Sequence, residues 1–139
     1  MGRDRLTAAD VGAWLFTCHP REFPSVAATG VEWRCARRSY RLDLVAPDQP
    51  ALLWVSGSTG ATPVPGVWMV GRTTGVVDRA PDRPRIGVVL ELLDEPVPRE
   101  VLRADPRTAG MEVLRSAQTS NPSVVTPGEY AVIEELLRA

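Results

Sequence analysis

Residues 57–66, GSTGATPVPG, constrain what this chain can fold into more than any other stretch. Glycine, proline, serine and threonine at that density sustain neither a helix nor a strand, so the chain turns there. Strand signals flank it: residues 51–56, ALLWVS, precede it, and residues 67–77, rich in β-branched side chains, follow. The segment is therefore a wide hairpin connection. Within the second strand Gly71 and Gly75 mark a bulge or tight bend, the kind of kink that lets a sheet curve toward a barrel.

Other short elements surround this hairpin. Residues 13–18, AWLFTC, form a short buried strand that Pro20 stops, and PSVAAT at 24–29 suits a short helix with Pro24 at its first position and Gly30 just beyond it. Residues 31–36 give a second strand, followed by an arginine-rich turn at 37–41 and a turn, PDQP, at 47–50. After a polar turn at 78–84, residues 85–93 form another strand and 98–104, PREVLRA, a short helix. The best-punctuated element is the last. Thr126 as N-cap, Pro127 in the first turn and Glu129 form a capping box that opens a helix to about residue 137. Ala131, Val132, Ile133, Leu136 and Leu137 give that helix its apolar side. Several short strands with small helices between them predict an α+β fold, a mixed β-barrel flanked by short helices, not a doubly wound sheet.

The chain has 139 residues, 44% of them hydrophobic and 24% charged, enough for one domain that buries roughly two-thirds of its unfolded surface. The polar residues 1–11 read as a flexible arm and 12–139 as a single domain. No apolar run approaches the ~20 residues of a spanning helix, and the first residues lack a secretory leader, so the expected location is the cytoplasm, away from membranes. The net charge of −1 excludes a polycation that coats nucleic acid indiscriminately. All sixteen positive residues are arginine, which removes Schiff-base, P-loop and lysine general-base chemistry. Two cysteines without CxxC spacing and one histidine, His19, give no metal site, and no cofactor motif occurs. Both thiols are expected to be reduced.

Catalytic readings fare poorly. HExxH, GxSxG, GxxxxGK[ST] and GxGxxG strings are all missing from the sequence. Cys18 and His19 could in principle serve as nucleophile and base, but neighbours on a strand point to opposite faces and do not easily hydrogen-bond each other. Glu91, Asp94 and Glu95 fit a carboxylate pair or a solvated strand end. The stronger signal is residues 33–41, WRCARRSYR, with four arginines (Arg34, Arg37, Arg38, Arg41) and two aromatics in nine residues. Aromatic faces stack on bases and guanidinium groups grip phosphates. The same residues also fit a core tryptophan beside a solvated turn. Trp54 and Ser56 share a strand face, so an indole and a hydroxyl can line one cavity, or Trp54 can be plain core.

Taken in order, the segments AWLFTCHPREF, GVEWRCARRSY, ALLWVSGSTG, PGVWMVGRTTGVV, LLDEPVPREVLRADP and VLRSAQTSNPSVVTPGEY resemble the EVE domain of the PUA-like superfamily over nearly the whole chain. The resemblance implies a PUA-like β-barrel with a pocket for a single modified nucleobase, related to YTH domains that hold a methylated adenine in an aromatic cage. On that basis Trp33 stands where those families carry their pocket tryptophan. Cys18 and His19 stand at the pocket rim, Trp54 and Ser56 on its wall, and Asn121 at the polar residue of the signature before the last helix. Cys18 departs from the pattern, because a serine or another hydrogen-bonding residue is common there.

The expected partner is thus RNA or DNA carrying a modified base. Its base is read by Trp33, Trp54, Ser56, Cys18, His19 and Asn121, and its backbone is held by Arg34, Arg37, Arg38 and Arg41, with no catalytic residue. Two other classes stay open: a nucleoside-processing hydrolase of the related ASCH type, which in some members uses a lysine that this chain lacks, and a protein-interaction module.

Overall fold

The computed structural model describes residues 5–27, 31–115 and 121–139. Six strands form one sheet: β1 (Ala13–Cys18), β2 (Val31–Cys35), β3 (Pro50–Val55), β4 (Gly66–Asp78), β5 (Arg85–Pro98) and β6 (Ser123–Val125). Their spatial order is β2-β5-β4-β3-β1-β6, and the sheet curls into a half-barrel. The interior pair β1 and β3 runs parallel, and every other pairing is antiparallel. A parallel pair covered on both faces needs continuous apolar sequence, as Ala-Trp-Leu-Phe and Ala-Leu-Leu-Trp-Val supply.

Alternate side chains of these strands feed two apolar clusters. Trp14, Phe16, Leu53, Val55, Met69, Ile86, Val88 and Leu90 pack on one face with Phe23 and Val26 of α1 (Phe23–Ala27). Leu15, Leu52, Trp54, Val67 and Val97 pack on the other with Leu102 of α2 (Arg99–Ala104) and Ile133 of α4 (Pro127–Arg138). Buried polar atoms in the first cluster are satisfied: Trp14 Nε1 donates to Gln49 Oε1 at 2.7 Å.

The curl has local causes in the β3–β4–β5 ladder. Registers slip between Leu53 and Trp54, Val67 and Met69, and Thr73 and Val77. Gly71 lies so close to β5 that a Cβ there would collide with the Val89 carbonyl, and Gly75 sits at φ +90° against Pro47. Both glycines read from sequence as kinks are thus positions where backbone passes backbone.

Several boundaries differ from expectation. β5 runs on to Pro98 because β4 still pairs with it at Gly66 and Val67, so Asp94 and Glu95 lie in the strand with solvent-facing side chains. α1 begins at Phe23, and the expected end of that helix at Thr29 and Gly30 lies outside the described residues. Residues 5–11 of the expected arm are docked: Leu6 and Val11 pack against the core, and Leu6 N–H donates to Tyr40 Oη at 2.9 Å. Part of the arginine-rich turn is a 3₁₀ turn, Tyr40–Leu44. The four-residue α3 (Glu112–Arg115) and the three-residue β6 were not evident from the sequence, since neither is long enough to show a period. Among the described residues no helix is long and apolar enough to cross a membrane.

One ion pair ties the 3₁₀ turn to α3 and β6. Arg41 meets Glu112 through two bonds of 2.7 Å, with both side chains about four-fifths buried, and Glu112 Oε1 also accepts Val124 N–H at 2.9 Å. Burial pushes the Glu112 carboxyl up, but the Arg41 and Val124 bonds outweigh it and hold the group below its usual range. A carboxyl depressed in the folded state adds stability above its unfolded pKa, and that stability is lost as pH falls through the folded value. Glu112→Gln is therefore expected to cost roughly 1.5–3 kcal/mol at neutral pH. Urea melts between neutral and acid pH should show this difference shrinking as pH drops below the usual glutamate range; a constant difference would contradict it.

Candidate functional site

Where the curled sheet brings its two edges together, a cleft of about 400 Å³ opens, a size typical of small-ligand sites. Its walls are Thr17, Cys18 and His19 at the end of β1, Glu22, Trp33 to Cys35 on β2, Ser56 after β3, and Asn121. Asn121 joins the walls. Its side-chain oxygen accepts Thr17 N–H at 2.9 Å, and its carbonyl accepts Arg37 N–H at 2.8 Å. Arg34 completes the bridge by donating Nη2 to the Thr17 carbonyl at 3.2 Å. Both main-chain groups of Thr17 are thus engaged by cleft residues.

Trp33 is the one tryptophan that is exposed, at 40%. Its partner on β5 is Gly87, which has no side chain, and Arg85 lies diagonally across the pair. The Arg85 guanidinium sits 4.6 Å from the Trp33 ring centroid, within cation–π range, and is itself held by Asp78 at 2.9 Å. The Arg85 bond, followed by the Ala80 N–H, keeps the Asp78 carboxyl below its usual range. One face of the indole is thereby covered by a fixed cation.

Of the residues singled out from sequence, Trp33, Cys18, His19, Ser56 and Asn121 line this cleft together. Trp54 does not. It is 3% exposed in the second apolar cluster and borders a separate small cavity, because Trp54 faces the side of β3 that packs on α2 and α4. Arg34 lines the cleft as well as bridging it, while Arg37 and Arg38 are exposed beside it, Arg38 donating to the Pro81 carbonyl. Arg41 does not line the cleft: its guanidinium is engaged by the Glu112 carboxylate and the Pro122 carbonyl.

Thr17, Glu22 and Cys35 were missed. No motif marks them, and only the closing of the sheet brings them in. Neither cysteine forms a disulfide; Cys18 is buried and Cys35 exposed. Cys18 Sγ donates to the His19 carbonyl and His19 Nδ1 accepts Arg21 N–H, so thiol and imidazole turn to different partners. Among the described residues, no group of three or more His, Cys, Asp or Glu is arranged to hold a metal. Glu91, Asp94 and Glu95 are exposed and border depressions away from the cleft.

Neither a scan against protein-family models nor a search of curated proteins found a match. Solved structures do resemble the chain. A hypothetical protein from Leishmania major aligns with TM-score 0.72 at 15% identity, covering 94% of this chain and 97% of its own. A Pseudomonas putida protein aligns with TM-score 0.71 at 16% identity, covering 90% and 99%. Human THYN1, solved in complex with 5-methylcytosine-containing DNA, aligns with TM-score 0.66 at 14% identity, covering 91% and 98%. At these identities the likeness establishes the fold alone: a mixed α+β domain built on a curled six-stranded sheet with a few short helices.

If Asn121 ties the cleft walls, Asn121→Ala leaves the Thr17 N–H without its acceptor and is expected to cost about 1–3 kcal/mol. Denaturant midpoints of the variant measure it, and an unchanged midpoint would contradict the bridge.

Proposed function

We propose that this chain is an EVE-type, non-catalytic reader of a modified base in nucleic acid, with the base entering the cleft and stacking on the face of Trp33 away from Arg85. The observation that carries the reading is the exposed indole, backed by Arg85, at the wall of a cleft of about 400 Å³. The likeness in fold to THYN1, solved with 5-methylcytosine-containing DNA, supports it. A base inside a duplex must be extruded to reach such a site, and an unpaired base already fits the requirement.

The remaining walls suit the edge of a base. Ser56 and Thr17 bring hydroxyls, Asn121 an amide, and Glu22 a carboxylate able to accept from an exocyclic amino group. Arg37 and Arg38 on the neighbouring lip would meet phosphates, which gives binding a salt-dependent part.

The test is a titration of wild type and Trp33→Ala against single-stranded RNA and DNA oligonucleotides, with and without methylated or hydroxymethylated bases. Loss of one aromatic stack should cost about 1–3 kcal/mol, roughly 5- to 150-fold, on the preferred modified strand and less on unmodified strand. Equal loss on every strand would contradict selective stacking. A change of oligonucleotide mass on incubation would favour the hydrolase class.

A further inference from the structure

Across the ridge formed by Thr17 and Ser56, which also line the cleft, lies a second cavity of about 160 Å³. It is too small beside the first to take another base in the same way, and its walls differ in kind. Trp54 and Gly57 form one side, Arg99 and Arg103 of α2 another. Four residues apart on a helix, the two guanidinium groups share a face.

Their environments assign them different tasks. Arg99 is mostly buried and fixed: Nη1 donates to the Gly57 carbonyl at 2.7 Å, Nη2 lies 3.4 Å from Thr59 Oγ1, and Nη2 pairs with Glu100 at 3.1 Å. Arg103 is half exposed and holds Glu100 loosely, at 3.4 Å. Two cations thus share one carboxylate, which leaves a positive excess beside the ridge. The cleft has no such excess: Arg34 and Glu22 both line it, and Arg34 is drawn to the Thr17 carbonyl. Arg41 is bound by Glu112 and Arg85 by Asp78. A strand that inserts a base there carries phosphates on both sides of it: Arg37 and Arg38 lie at one lip, and the ridge leads to the Arg99–Arg103 pair on the other side.

We propose that the Arg99–Arg103 cavity is a phosphodiester seat for the nucleotide adjoining the base in the cleft, an assignment that rests on the base-reading proposal above. Arg103 grips the phosphate oxygens and Arg99 supplies a fixed positive wall.

The experiment compares wild type, Arg103→Gln, Glu100→Gln and Trp33→Ala on a single strand with one 5-methylcytosine, its unmodified twin, and versions whose linkage on either side of that base is a neutral methylphosphonate. Arg103→Gln should weaken the modified and unmodified strands by the same factor and lower the log–log salt slope by about one. One neutral linkage should reproduce that loss in wild type and add nothing in Arg103→Gln, as expected for groups in contact. Glu100→Gln should bind the strand more tightly, a gain that a misfolded variant does not give. Sodium phosphate should displace the strand no better than sodium chloride at equal ionic strength.

An unchanged slope in Arg103→Gln, losses that add for variant and linkage, or displacement by phosphate alone would overturn the seat. If Trp33→Ala retains full discrimination while Arg103→Gln behaves as described, the base reading falls and the seat stands. If Trp33→Ala loses discrimination and Arg103→Gln has no effect, the seat alone falls. Failure of wild type to bind either strand would overturn both.

Discussion

Asn121 carries the constraint on which the cleft depends, because it holds together two parts of a sheet that do not otherwise pair. β2 and β6 are the edges of that sheet, and a curled sheet with free edges has no fixed gap between them. Through its side chain Asn121 accepts from the end of β1, and through its carbonyl from the residue range just after β2. Arg34 adds a second strut to the same Thr17. Each bond is worth only about 1 kcal/mol net, but together they set the separation of two walls, and a pocket works through the positions of its walls.

What curls the sheet lies elsewhere. Close approach at Gly71, the positive φ at Gly75 and three register slips bend the β3–β4–β5 ladder so that β2 swings toward the end of β1. The apolar clusters on both faces then make that curvature stable, because β1 and β3 have no solvent-facing side to expose. The same two-sided burial explains the fate of the tryptophans. Trp14 and Trp54 lie on interior strands and became core, whereas Trp33 lies on an edge strand opposite a glycine and stayed exposed.

Much of this was legible in the sequence. The loop at 57–66, the apolar strands on either side of it, both kinking glycines and the capping box at Thr126 and Glu129 each rest on local chemistry, and each lies within a residue or two of its expected place. The elements that escaped are those whose reason is tertiary. β6 is three residues long and exists because β1 offers it an edge, and the extension of β5 exists because β4 continues beside it. At the site, composition revealed the arginine cluster but not its partners. Arg41 reads like its neighbours until Glu112, far along the chain, is seen to bind it. Trp54 and Ser56 share strand parity, yet Ser56 stands on a ridge between two cavities while Trp54 borders only the smaller.

The account turns on the statement that one base enters between Trp33 and Asn121. A crystal structure of the protein with a short single strand carrying 5-methylcytosine tests it most directly. The account predicts the modified base in the cleft, its ring parallel to the Trp33 face away from Arg85 and its edge toward Thr17, Ser56 and Asn121. A strand bound along another face, with the cleft unfilled and Trp33 untouched, would contradict it.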